Sequence, residues 1–104
     1  MIKLLIDTSN NKEIKVGLNI EGKEEILTQQ SDLWKAQAVL PLLDSLLKKN
    51  NLTLKDINSI ELSEGPGSFT GLRVGAAIAN ALGAWLKIPI NGKKVGEIVE
   101  PHYQ

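Results

Sequence analysis

Two carboxylates are the residues best placed to hold a divalent metal ion: Asp7, which ends a largely apolar run, and Glu64, which ends a second predicted strand. If the two runs are neighbouring strands, both acids reach the carboxyl edge of one sheet, where a metal-dependent nuclease would use them. A two-metal centre needs three or four acids, and the first helical segment offers only Asp44 within it and Asp32 at its start. The competing reading is that Asp7 caps a turn and Glu64 is solvated. Ser68 and Thr70 are hydroxyls at a helix entrance, where caps are commoner than nucleophiles, and His102 is the single histidine. No catalytic residue and no metal ligand set is assigned.

Between Glu64 and the following helix lies Gly65-Pro66-Gly67-Ser68-Phe69-Thr70-Gly71. Three glycines in such a loop remove side chains where backbone turns tightly or where an anion or another chain comes close. The loop lacks the Gly-Lys-Ser/Thr end of a P-loop and does not have dinucleotide-binding spacing, so no nucleotide or other cofactor is assigned to it.

The elements that position these groups follow from hydrophobic pattern. Residues 2–6 form a short, nearly continuous apolar run, as a central strand buried on both faces would. Residues 13–20 alternate, with Ile14, Val16, Leu18 and Ile20 on one face, and a turn at Glu21-Gly22-Lys23 leads into residues 24–29. Ser31-Asp32 is a helix N-cap, and residues 33–49 are helical, with a kink expected near 37–40 because Pro41 removes a backbone donor. Residues 57–63 form a strand, 70–86 a second helix, and 88–90 a last short strand. This β-β-β-α-β-α-β order predicts an α/β fold: a mixed five-stranded sheet, order 3-2-1-4-5, with two main helices, the ribonuclease H-like arrangement. Residues 1–92 are read as one domain and 93–104 as a C-terminal tail.

The chain has 104 residues, no cysteine, and twelve basic against twelve acidic residues. That composition provides no disulfides, no thiolate chemistry and no global field for nucleic acid or membrane. The apolar start of the chain is too short for a signal peptide or a membrane span, so a cytoplasmic protein is expected.

Both helices carry more apolar surface than one sheet needs. In the second, Leu72, Val74, Ile78, Leu82, Trp85 and Leu86 are assigned to the sheet. The ladder Gly75, Ala79 and Gly83, with Ala76, Ala77, Ala84, Asn80 and Arg73 beside it, is assigned to a partner helix, or to the first helix of the same domain. In the first, Ala36, Leu40, Leu43 and Leu47 form a stripe next to Val39, Leu42 and Leu46. The predicted protein interface is therefore Leu40, Leu43, Leu47, Arg73, Ala76, Ala79, Asn80 and Gly83.

Gly65-Pro66-Gly67-Ser68-Phe69-Thr70-Gly71-Leu72-Arg73 resembles the signature loop of the TsaB (YeaZ) family, a Gcp-like group in the ASKHA superfamily of actin-like proteins. Ile6-Asp7-Thr8-Ser9 is similar to that family's first strand and turn, and Val39-Leu40-Pro41-Leu42-Leu43 to its Leu-Leu-Pro helix. The resemblance covers residues 1–92, the family's first domain; the second domain is missing. It implies a non-catalytic scaffold in the synthesis of threonylcarbamoyladenosine at position 37 of tRNA. Its partner would be the transferase subunit TsaD, with a TsaE-like ATPase in the assembly, tRNA contacted indirectly, and a homodimer when alone. The His-x-x-x-His metal motif of TsaD is replaced here by Asn91-Gly92-Lys93-Lys94-Val95, in keeping with a non-enzyme. Lys35 stands where the family commonly has histidine, and Val99-Glu100-Pro101-His102-Tyr103 is similar to the family's C-terminal ending. A metal-dependent ribonuclease H-like nuclease using Asp7 and Glu64, and a homodimeric domain with another partner, are the alternatives.

Overall fold

Strand pairing begins with two local signals, an apolar run and an alternating run long enough to zip to it. In the computed structural model, which describes residues 1–10, 12–30, 35–67 and 69–100, β1 (Ile2–Asp7) pairs antiparallel with β2 (Glu13–Ile20), Leu4 opposite Leu18 and Ile6 opposite Val16. β2 returns as β3 (Lys23–Gln30) through Glu21 and Gly22, whose φ angles of 51° and 88° make the mirror-image turn that matches strand twist. α1 (Lys35–Lys49) runs through Pro41. It ends with Asn51 in a left-handed conformation, so that Leu52 N–H reaches the Leu47 carbonyl at 2.8 Å. The expected cap at Ser31-Asp32 and the first turn before Lys35 lie outside the described residues. A single 3₁₀ turn (Leu54–Asp56) precedes β4 (Ser59–Leu62), which pairs parallel to β1, and α2 (Phe69–Leu86) follows the glycine loop.

Among the described residues the sheet has four strands in the order β3-β2-β1-β4, and the expected fifth is not formed as a strand. The predicted last strand contracts to one parallel bridge, Ile60 to Ile90. Pro89 has no N–H to extend a ladder, and Asn91 turns left-handed at φ 52°, which takes the chain off the edge. The Asn91 side chain continues the pairing instead: Leu62 N–H donates to its Oδ1 at 2.7 Å, and its Nδ2 donates to the Leu62 carbonyl at 3.0 Å and to the Glu64 carboxylate.

Leu4, Ile6, Ile14, Val16, Leu18, Ile60 and Leu62 point to one face, and the core forms there against Val39, Leu43 and Leu46 of α1 and Ala76 and Ala79 of α2. The opposite face follows from register. A row Glu61–Leu5–Gly17–Ile26 crosses the strands between the polar rows Asp7–Lys15–Thr28 and Ser59–Lys3–Asn19–Glu24. Among the described residues no helix is long and apolar enough to cross a membrane.

Candidate protein-protein interface

The glycine loop makes its close approach to the chain's own first turn. Asp7 Oδ1 accepts from Ser9 N–H at 2.9 Å and from Ser9 Oγ at 2.5 Å, closing a side-chain turn at the end of β1. That turn presents the Ser9 carbonyl to Gly67, where a Cβ would lie 2.6 Å from the oxygen. Thr8, fully buried, donates its hydroxyl to the Gly71 carbonyl at 2.6 Å and lies under Gly75, where a Cβ would come within 2.3 Å of Oγ1. Glu64 accepts from Asn91. Of the two acids singled out for metal chemistry, Asp7 thus closes the turn after β1 and Glu64 ties the end of β4 to Asn91, and among the described residues no three His, Asp or Glu side chains gather into a metal-binding group. Ser68 and His102 lie outside the described residues.

These contacts orient α2. Gly75 sits over Thr8 and Leu62, Gly83 over Ile90, and Ala76 and Ala79 are 6% and 0% exposed, so the small-residue ladder is the side that meets the sheet. The expectation that Ala76, Ala79 and Gly83 face a partner is corrected here. An α-helix can lie low on a sheet edge only where its side chains are short, and the short ones are these. Asn80 is also engaged within the chain, bonded to Val99. Leu43 and Leu47 of α1 are core residues at 2% and 4% exposure, while Leu40 is 51% exposed and Arg73 is exposed. Of the eight predicted interface residues, Leu40 and Arg73 are exposed.

The outward face of α2 takes Val74, Ile78 and Trp85 from the side the pattern had given to the sheet and Arg73, Ala77 and Ala84 from the flank given to a partner, while Leu72, Leu82 and Leu86 stay with the core as expected. Thr70, Arg73, Ala77, Ala81, Ala84 and Trp85 are exposed, with Val74 and Ile78 half-buried beside them. At about 100° per residue these fall on one side of the helix. Arg73 is the one charge between Phe69 and Leu86. Trp85, 65% exposed, walls a groove of about 570 Å³ with Leu47, Leu52 and Leu54, rimmed by Asp44, Lys48 and Lys55. Leu40 lies about 20° from Leu47 around α1, two turns nearer the start of the helix. The α2 strip, poor in charge and centred on alanines, can accept another helix at close range. The pattern places Ala77 and Ala84 beside the ladder; Ala81 and Trp85 carry a sequence signal only in the absence of Lys and Glu round the helix, and periodicity alone does not give the side that is free.

Residues 35–93 match the family model described as TsaD: tRNA N6-adenosine threonylcarbamoyltransferase. The tRNA threonylcarbamoyladenosine biosynthesis protein TsaB of Haemophilus influenzae is 32% identical over 87 residues, which is 84% of this chain and 36% of that protein. The tRNA N6-adenosine threonylcarbamoyltransferase of Nitrosospira multiformis is 39% identical over 54 residues, 52% of this chain and 16% of that one. The structure of YeaZ from Pseudomonas aeruginosa superposes with a TM-score of 0.80 at 30% identity, covering 86% of this chain and 43% of YeaZ. The chain therefore spans less than half the length of these relatives.

Proposed function

The chain belongs to the TsaB (YeaZ) family, and we propose that it acts in the threonylcarbamoyladenosine modification of tRNA as a non-catalytic docking subunit. It binds a TsaD-type transferase through the outward face of α2 and the adjoining Leu40 flank of α1. The observation that carries this reading is the solvent-facing strip Thr70, Ala77, Ala81, Ala84 and Trp85, in which Arg73 is the lone charge. A helix face left to water normally carries Lys and Glu, and contiguous apolar surface of this kind marks an interaction site. Trp85 is the anchor, since a large aromatic at the edge of a groove supplies most of the binding energy of such contacts. The same reading places a TsaE-like ATPase in the assembly, leaves tRNA contact to the transferase, lets the isolated chain self-associate through the same face, and locates the chain in the cytoplasm.

The test is binding of this chain to the transferase subunit of its own organism, measured by calorimetry. Wild type binds; Trp85→Ala weakens binding about 30-fold, the equivalent of about 2 kcal/mol, and Ala81→Glu abolishes it with helix content unchanged. Mg²⁺-dependent cleavage of nucleic acid that disappears in Asp7→Asn, with no binding to the transferase, would overturn the docking role in favour of a nuclease.

A further inference from the structure

Residues 93–100 return to α2, and one side chain holds them there. Val99 N–H donates to Asn80 Oδ1 at 2.9 Å, and Asn80 Nδ2 donates to the Val99 carbonyl at 3.1 Å. The amide thereby replaces a strand partner, satisfying both backbone groups of one residue and fixing the segment's direction as well as its position. Val99 is driven into the core at 2% exposure, while its neighbour Ile98 is turned out, 60% exposed. Around α2, Asn80 lies within about 40° of Arg73 and Ala84. Ile98 therefore reaches solvent along the flank of the outward helix face.

We propose that residues 93–100 are a third element of the docking surface, in which Ile98 contacts the partner and Asn80 is the positioning residue that presents it. This rests on the docking role proposed above. The occupant is the α1–α2 helix pair of a transferase paralogue. Residues 35–93, which include both helices, match the transferase family model, so the paralogue carries a corresponding helix pair, and like pairs can meet about a pseudo-two-fold axis. Charge supports the same occupant: Ala77, Ala81 and Ile98 offer nothing to pair with a buried Lys or Glu, so a face poor in charge at its centre covers them best, with Lys94, Glu97 and Glu100 beside Ile98 left at the solvated rim. At the rim of such a contact Ile98 excludes water from the alanine centre of the strip.

The experiment measures calorimetric affinity of the full chain for its organism's transferase subunit in four variants, with amide exchange at Val99 recorded alongside. Ile98→Asp is expected to bind about tenfold more weakly, and Ile98→Leu to bind as wild type. Asn80→Ala is expected to lose affinity together with protection of the Val99 amide, at unchanged helix content. Ala81→Glu, on the helix itself, is expected not to bind. If Ala81→Glu abolishes binding while Ile98→Asp and Asn80→Ala bind as wild type, the third element is refuted and the docking role stands. If Ala81→Glu binds as wild type, the docking role itself fails. Sedimentation showing that these variants disrupt a homodimer, with no transferase binding by wild type, would refute the assigned occupant.

Discussion

The Thr8 hydroxyl donates to the Gly71 carbonyl at 2.6 Å, and four residues further along the helix Gly75 lies directly over the same side chain. This contact sets how low α2 rides on the sheet, and with it which side of the helix is left to a partner.

Gly75→Ala tests that contact. In an exposed helix the change would stabilise by about 1 kcal/mol. Here the new Cβ would stand 2.3 Å from Thr8 Oγ1 and 3.1 Å from Leu62 Cδ1, so a net loss of about 1–3 kcal/mol is expected from overpacking. Urea unfolding decides the sign; a stabilised variant would mean that α2 stands further off the sheet.

Ala79 and Ala81 are two residues apart and should behave oppositely. Ala79 is fully buried, so Ala79→Glu forces a carboxylate into the core and should cost more than about 3 kcal/mol, enough to unfold much of the population. Ala81 is exposed, and Ala81→Glu should stay within about 0.5 kcal/mol of wild type. Thermal unfolding of the pair reads out the orientation of α2 without any partner.

Lys87 closes α2 with φ 57°, and Ile88 N–H bonds to the Gly83 carbonyl at 3.1 Å. This left-handed capping position favours glycine, because a Cβ crowds the backbone there. Lys87→Gly should therefore raise stability by about 1 kcal/mol, seen as a higher urea midpoint at unchanged slope.

Lys49 at the end of α1 hydrogen-bonds the Glu25 carboxylate of β3, and that bond holds the Glu25 carboxyl below its ordinary value of 4.5. A depressed folded pKa stabilises fully above the unfolded value, and the contribution is lost as pH falls through the folded one. The effect on stability should be small, since the pair faces solvent. A carbon-detected NMR titration should place the Glu25 midpoint below 4.5 in wild type and higher in Lys49→Met.

Much of the fold is legible in the residues themselves. β2 runs over the expected residues, β1, β3 and the second helix differ from expectation by a residue at one or both ends, and the positive-φ turn at Glu21-Gly22 is where composition puts it. Local chemistry is enough for these, because strand alternation, turn conformation and helix periodicity are properties of consecutive residues. The family signature is likewise a string of neighbours, Gly65 to Arg73.

The functional face is another matter. Periodicity divides α2 into a small side and a large side but does not say which one meets the sheet, and the bulkier Val74, Ile78 and Trp85 were the natural choice for a core. Only tertiary structure shows Thr8 and Ile90 standing where a helix can pass over them if it presents Gly75 and Gly83. The fifth strand failed for a similar reason, since its extent depended on Asn91 finding Leu62 across 29 residues of chain. The sequence by itself thus determined the elements, the turns and the family. The three-dimensional packing decided which side of α2 is free, because a close approach between distant residues is fixed by both partners and is written in neither alone.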